Sequence, residues 1–297
     1  HIIGALTEQL RTVDWVHAGS FTTEVLETYA TELAPLVPVD DARVFPVSGG
    51  SEAIETACKL ARAYHLARGA PERHIVLARD GSYHGNTRGA LDVSGRAPLR
   101  VPYLPWLGLT ERVPAVYPYR VPLSGPEHAA ALKTAIARVG ADRIAAFVAE
   151  PIGGASTGAS VPPDDYWPLV AEVCREHGIL LVADEVMTGF GRTGTWFACD
   201  HWGLRPDILV AGKGASAGYW PLGLTIASGD VHATVESAGG FVHGFTWSHH
   251  PGGAAVGRAV VARMTELDLV ERSRTLGAYL LAELELALGN VQFVGDV

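Results

Sequence analysis

The sequence predicts an α/β fold, a mostly parallel central sheet covered on both faces by helices. Three observations predict it. Short, unbroken apolar runs of strand length recur along the chain, as strands buried on both faces require. Longer stretches with apolar residues at helical spacing lie between them. Several of the apolar runs are followed at once or after one glycine by a carboxylate or an amine, as at the ligand-binding edge of an open α/β sheet.

In chain order, Ala53, Ile54, Ala57, Leu60, Ala61 and Tyr64 mark a helix over Glu52–Ala67. The run His74–Ala78 reads as a strand. Leu99–Leu123, rich in Pro, Tyr and Gly without clear period, reads as a long surface excursion. A helix over Glu127–Val139 leads to a strand at Ile144–Ala149. A helix from Tyr166 to His177 precedes a strand at Ile179–Ala183. Glu185–Gly194 holds three glycines and reads as a loop, Ile208–Ala211 as a strand, and Ala254–Leu267 as a helix. No internal repeat and no low-complexity tract stands out.

Composition narrows the function. The chain has 297 residues, 48% apolar and 19% charged, enough for one large domain and part of another. A net charge of -9 argues against nucleic acid or a membrane surface as partner, since both favour basic patches. No apolar run approaches the roughly 20 residues that cross a bilayer, and no signal-peptide pattern opens the sequence. Cys58, Cys174 and Cys199 lack metal-type spacing and fit reduced thiols in a cytoplasmic protein.

The chemistry starts from Lys213, one of only three lysines. Lys59 and Lys133 lie on helical stretches where a solvated face takes a cation. Lys213 follows Ile208-Leu209-Val210-Ala211 and sits between Gly212 and Gly214, which lets a ligand approach an amine at a strand end. Glu150 and Asp184 end two other apolar runs, so the three groups are expected in one crevice. Ser48-Gly49-Gly50-Ser51-Glu52 precedes a helix and offers free N–H groups to a phosphate; an ordinary capping turn has the same composition. No Walker-type Gly-Lys-Ser/Thr follows.

Taken together, these segments resemble the class III (ω-type) aminotransferases, pyridoxal-phosphate enzymes of fold type I. The resemblance runs through Phe21-Thr22-Thr23-Glu24, Ser48–Ala53, Ser82-Tyr83-His84-Gly85 and Ala149-Glu150-Pro151. It continues through Ala183–Gly194, Gly212-Lys213-Gly214 and Gly244-Phe245-Thr246-Trp247-Ser248. It implies that Lys213 holds the cofactor as a Schiff base and then moves a proton at the substrate carbon. It implies that Asp184 pairs with the pyridine nitrogen, that Val186 and Tyr83 pack on opposite ring faces, and that Gly50 and Ser51 hold the phosphate. It implies too that Thr246 reaches the phosphate of a neighbouring subunit, and hence a homodimer. Glu150 lies near the substrate entrance, and His84 either touches the cofactor or packs beside Tyr83.

The resemblance also implies transfer of an amino group from an amine or ω-amino acid to a 2-oxo acid or aldehyde by a ping-pong scheme. An aminomutase or decarboxylase of the same fold, or a silent cofactor binder, are the alternatives. It divides the chain into an N-terminal remnant (1–27), a large cofactor-binding domain (28–258) and the start of a small C-terminal domain (259–297) expected to be truncated. The arginine that often grips the substrate carboxylate in the family belongs to that small domain. His249-His250 lack a completing carboxylate, so no metal site is expected. Arg192 is expected in a structural salt bridge, Trp220 and Trp247 as interface or pocket walls, and Tyr83, Trp15 and Trp247 as specificity residues.

Overall fold

A computed structural model describes residues 1–108, 110–154 and 156–297. Seven strands form one sheet in the order β1-β7-β6-β5-β4-β2-β3. They are β1 (Arg43–Val47), β2 (Ile75–Arg79), β3 (Glu111–Val113), β4 (Ile144–Ala149), β5 (Leu180–Asp184), β6 (Ile208–Ala211) and β7 (Gly223–Ala227). From β3 to β6 every neighbouring pair is parallel, whereas β7 runs antiparallel to both β6 and β1. Six strands therefore point the same way, and their carboxyl ends share one edge.

The helices are α1 (Ile2–Thr12), α2 (Glu24–Leu33), α3 (Gly50–Ala67), α4 (Arg88–Val93), α5 (Ala97–Arg100), α6 (Gly125–Val139), α7 (Tyr166–Glu176), α8 (Gly229–Ser237), α9 (Pro251–Glu266) and α10 (Leu269–Leu288). Alternation along the strands decides which helices they meet. Ala146, Val148, Val182, Ile208 and Val210 face α3, packing with Ala53, Ile54 and Ala57. Phe147, Leu181 and Ala183 face the other way, onto Leu132 and Ile136 of α6 and Trp167 and Val170 of α7. On that second face Leu209, Leu224 and Ile226 meet Tyr29 and Leu33 of α2 and Val256 and Val260 of α9. The result is a three-layer α/β sandwich. Among the described residues no helix is long and apolar enough to cross a membrane.

The apolar runs match β2, β4, β5 and β6 within a residue at either end. Leu99–Leu123 is a correction: it contains β3, which pairs with β2 at Leu77↔Glu111 and Arg79↔Val113. A three-residue edge strand carrying Glu111 and Arg112 has no apolar run to announce it. β1 and β7 carry no such signal either. Pro46 interrupts β1, which tolerates a missing N–H because it lies at the sheet edge. Lys59 and Lys133 are exposed on their helices, and Lys133 pairs with Glu176 at 3.3 Å.

Candidate active site

At the carboxyl edge of the sheet lies a cleft of about 490 Å³. Five segments that follow parallel strands supply its walls: Gly49–Ser51 after β1, Tyr83–Gly85 after β2, Glu150 after β4, Asp184 and Val186 at the end of β5, and Lys213 after β6. Asp184 and Lys213 come together because β5 and β6 pair in parallel, with Asp184 opposite Val210.

Asp184 is buried, and both of its carboxylate oxygens are engaged. His84 Nδ1 donates to Oδ2 at 2.7 Å, and Val186 N donates to Oδ1 at 3.0 Å. Both bonds fix the orientation of the carboxylate. His84 is held in turn through its backbone, whose N–H donates to Ser94 Oγ at 2.8 Å. Its Nε2 is buried without a partner. The sequence left open whether His84 touches the cofactor or packs beside Tyr83; in the structure its ring is bonded to Asp184.

The start of α3 fits an anion. This helix of 18 residues directs the N–H groups of its first turn and its positive dipole end at the cleft. Glu52 Oε2 accepts from Ser48 N at 2.9 Å, which fixes the turn that carries Gly49 and Gly50. Ser51 Oγ accepts from Asn86 N at 3.1 Å, tying the helix start to the segment after Tyr83. At Gly50 a Cβ would stand 3.0 Å from Val186 Cγ1, so a side chain there would crowd the floor of the cleft. Gly85 adopts φ 133°, and a side chain there would overlap Ser51 Oγ.

Lys213 has φ 38°, a left-handed conformation costly for a residue with a Cβ, and strain of this kind collects at functional sites. Beneath it, Phe190 is also left-handed at φ 56°. The loop from Glu185 to Cys199 is anchored from inside. The buried Glu185 carboxylate accepts from Thr188 Oγ1, from Ala198 N at 3.0 Å and from Cys199 N at 2.7 Å. Burial pushes the Glu185 carboxyl above its ordinary range, and these bonds oppose the rise. Glu150 is buried as well, and burial raises its carboxyl while His84 and Arg79 pull it down. Its Oε1 accepts from Gly154 N at 3.2 Å, and the buried Arg79 guanidinium donates to its backbone carbonyl.

The cleft therefore brings together eight of the nine residues expected from the sequence: Gly50, Ser51, Tyr83, His84, Glu150, Asp184, Val186 and Lys213. Thr246 stands apart and exposed, its carbonyl accepting from Trp15 Nε1 at 3.0 Å. Trp220 lines the cleft, but Trp15 and Trp247 do not. Arg192 makes no salt bridge among the described residues. Its side chain is exposed, and its carbonyl accepts from Ser273 Oγ at 3.4 Å. His249 and His250 have structural positions: His249 N donates to Pro46 O, and His250 Nδ1 caps α9 by accepting from Gly252 N at 3.1 Å. Sequence reasoning missed Arg79, Arg96 and Met187. Arg79 closes an apolar strand and Arg96 falls just before the unpatterned excursion, so only the fold reveals their neighbours.

The profile of the family described as Aminotransferase class-III matches residues 1–297. The chain is 40% identical to the uncharacterized aminotransferase YodT of Bacillus subtilis, over 98% of this chain and 67% of that protein. It is 33% identical to a putrescine–pyruvate aminotransferase of Pseudomonas aeruginosa, over 99% of this chain and 66% of the relative. Among solved structures, an (S)-enantioselective omega-transaminase from Thermomicrobium roseum superposes with a TM-score of 0.93 at 39% identity, covering 100% of this chain and 67% of that one. The omega transaminase of Pseudomonas jessenii in complex with PMP gives 0.94 at 31% identity, covering 99% and 67%. The chain thus spans about two thirds of the length of the relatives it matches.

Proposed function

Because the chain belongs to the class III aminotransferase family, whose members depend on pyridoxal phosphate, we propose that it moves an amino group from an amine or ω-amino acid to a 2-oxo acid or aldehyde. The observation that carries this reading is the convergence of Lys213 and Asp184, from adjacent parallel strands, on one cleft. The residues present fit the cofactor: free N–H groups at the start of α3 suit its phosphate, and the Asp184 carboxylate suits its ring nitrogen. When bound, the cofactor supplies an electron sink for the charge left on the substrate carbon.

The protein's own part is to orient, to exclude water and to move protons. Lys213 Nζ anchors the cofactor and then carries a proton at the substrate α-carbon. Asp184, fixed by His84 and Val186 N, keeps the ring nitrogen protonated. Val186 and Tyr83 bound the ring, Gly50 and Ser51 hold the phosphate, and Glu150 borders the substrate. Thr246, remote from its own cleft, completes the phosphate site of a second copy, so the working unit is a homodimer. We place it in the cytoplasm and divide it at about residues 27 and 258.

Borohydride reduction of the chain with added pyridoxal phosphate, followed by peptide mass mapping, tests the reading. A pyridoxyl adduct confined to the Lys213 peptide is expected, together with parallel double-reciprocal plots in steady-state kinetics. An adduct on Lys59 or Lys133, or none, overturns it.

A further inference from the structure

Arg79, the last residue of β2, is a buried cation. Alternation along the strand turns it to the side of Leu77, toward α6 and α7. There its guanidinium carbon lies 5.8 Å from the ring centres of both Tyr166 and Trp167, which meet edge to face at 5.0 Å. Nη2 donates to Glu150 O, and Trp167 Nε1 donates to Pro151 O at 3.0 Å. Two consecutive carbonyls after β4 are thus gripped by two side chains that pack together. Nη1 is buried without a partner among the described residues.

Packing alone gives no reason for a guanidinium in this place. An apolar side chain of similar volume would fill the space with no unpaired donor and no buried charge. The charge does have a carboxylate beside it, since Nη2 stands 4.0 Å from Glu150 Oε2. Glu150 lines the cleft; its Oε1 accepts from Gly154 N, whereas Oε2 makes no hydrogen bond among the described residues. His84, after β2, and Asp184, at the end of β5, also face this carboxyl, and Arg96 and Lys213 line the same cleft. Burial and Asp184 push the Glu150 carboxyl up, while His84, Arg79 and the Gly154 N–H pull it down. Behind Arg79 stand His128 of α6, which burial and Arg79 push down, and Tyr166 of α7, which burial pushes up.

We infer that Arg79 is a positioning residue of the reaction: it seats Glu150 at the cleft wall and keeps it a carboxylate, which receives the ammonium group of the amino donor through Oε2. An ammonium beside a carboxylate is a charge-assisted pair, and a cation behind the carboxylate holds it ionised in a buried setting. The inference rests on the transferase reading and adds to it the group that meets the donor.

The test compares the whole chain as wild type, Arg79→Lys, Arg79→Met, Trp167→Phe and Glu150→Gln. In the cofactor-free proteins the protonated-carboxyl band of Glu150, identified by its loss in Glu150→Gln, is followed against pH by infrared spectroscopy. In Arg79→Met the band is expected to persist to higher pH than in the wild type, with Arg79→Lys between. Trp167→Phe drops the bond to Pro151 O but keeps the cation, so its urea midpoint falls while the band titrates as in the wild type. The cofactor-loaded proteins are assayed with benzylamine as donor and pyruvate as acceptor. Arg79→Met is expected to lower kcat/KM for benzylamine about 10- to 100-fold, as loss of a bond to a charged group implies, and that for pyruvate by no more than about 2-fold. A band that titrates alike in wild type and both Arg79 variants overturns the inference. So does a shift in Trp167→Phe as large as that in Arg79→Met, or an equal loss on both substrates. Where Arg79→Met does not fold, Arg79→Lys decides by the same readings. No transfer by the wild type counts against the transferase reading instead, and the infrared titration then decides Arg79 alone.

Discussion

Replacing Gly50 by alanine tests whether Val186 forms the floor of the cleft against the start of α3. The added Cβ would stand 3.0 Å from Val186 Cγ1 and 3.1 Å from Cγ2, whereas carbon atoms rest at about 3.5–4.0 Å. Overpacking of that size costs about 1–3 kcal/mol when neighbours must shift. Against it stands a gain of up to about 1 kcal/mol for alanine over glycine in a helix. The single variant should therefore lose about 0–3 kcal/mol. Val186→Ala removes both crowding methyl groups, so in that background Gly50→Ala should stabilise by up to about 1 kcal/mol. Urea unfolding of the four cofactor-free proteins gives the coupling directly, expected at about 1–3 kcal/mol. Additivity within about 0.5 kcal/mol would show that the two residues do not crowd each other, and the account of the cleft floor would fall.

Two further predictions concern the charged groups of the site. Lys213→Gly should be more stable than Lys213→Ala by about 1 kcal/mol, because both lose the amine but only glycine relieves the left-handed backbone at φ 38°. Equal unfolding midpoints would remove the argument for strain. Glu150→Gln should gain stability over the wild type as pH rises. The folded carboxyl titrates above its ordinary value of 4.5. Between the two values the native chain holds more protons than the unfolded one, so wild-type stability falls through that window and the penalty is complete above it. A glutamine has no such loss. Urea midpoints measured across roughly pH 4 to 8 check this, and a difference independent of pH would contradict it.

What could be read from the sequence was set by how densely apolar residues cluster. Ile208–Ala211 and Ile144–Ala149 are buried on both faces, and their runs gave the observed strands without adjustment. The site residues at their ends followed, because parallel strands bring their carboxyl ends to one edge. β1 and β7 were silent: Pro46 breaks one and Thr225 the other, and Thr225 is satisfied only by donating to Ala53 O on α3. The bond from His84 to Asp184 spans 100 positions and depends on β2 and β5 lying on either side of β4, which no local pattern encodes. The salt bridge expected of Arg192 failed for the opposite reason, since a charge in a glycine-rich loop has solvent as an adequate partner.

The antiparallel strand β7 has a consequence for how the molecule is made. Among the described residues it is the only neighbour of β1 in the sheet, so the turn after β1 has no ordered platform until β7 exists. Roughly 180 residues separate the two strands, which at ribosomal rates is a delay of roughly 10–40 s. During that time β2, β4 and β5 can already pair, and β6 follows shortly ahead of β7. The segment that carries Gly49 and Gly50 is thus the last part of the sheet's carboxyl edge to gain its strand partner.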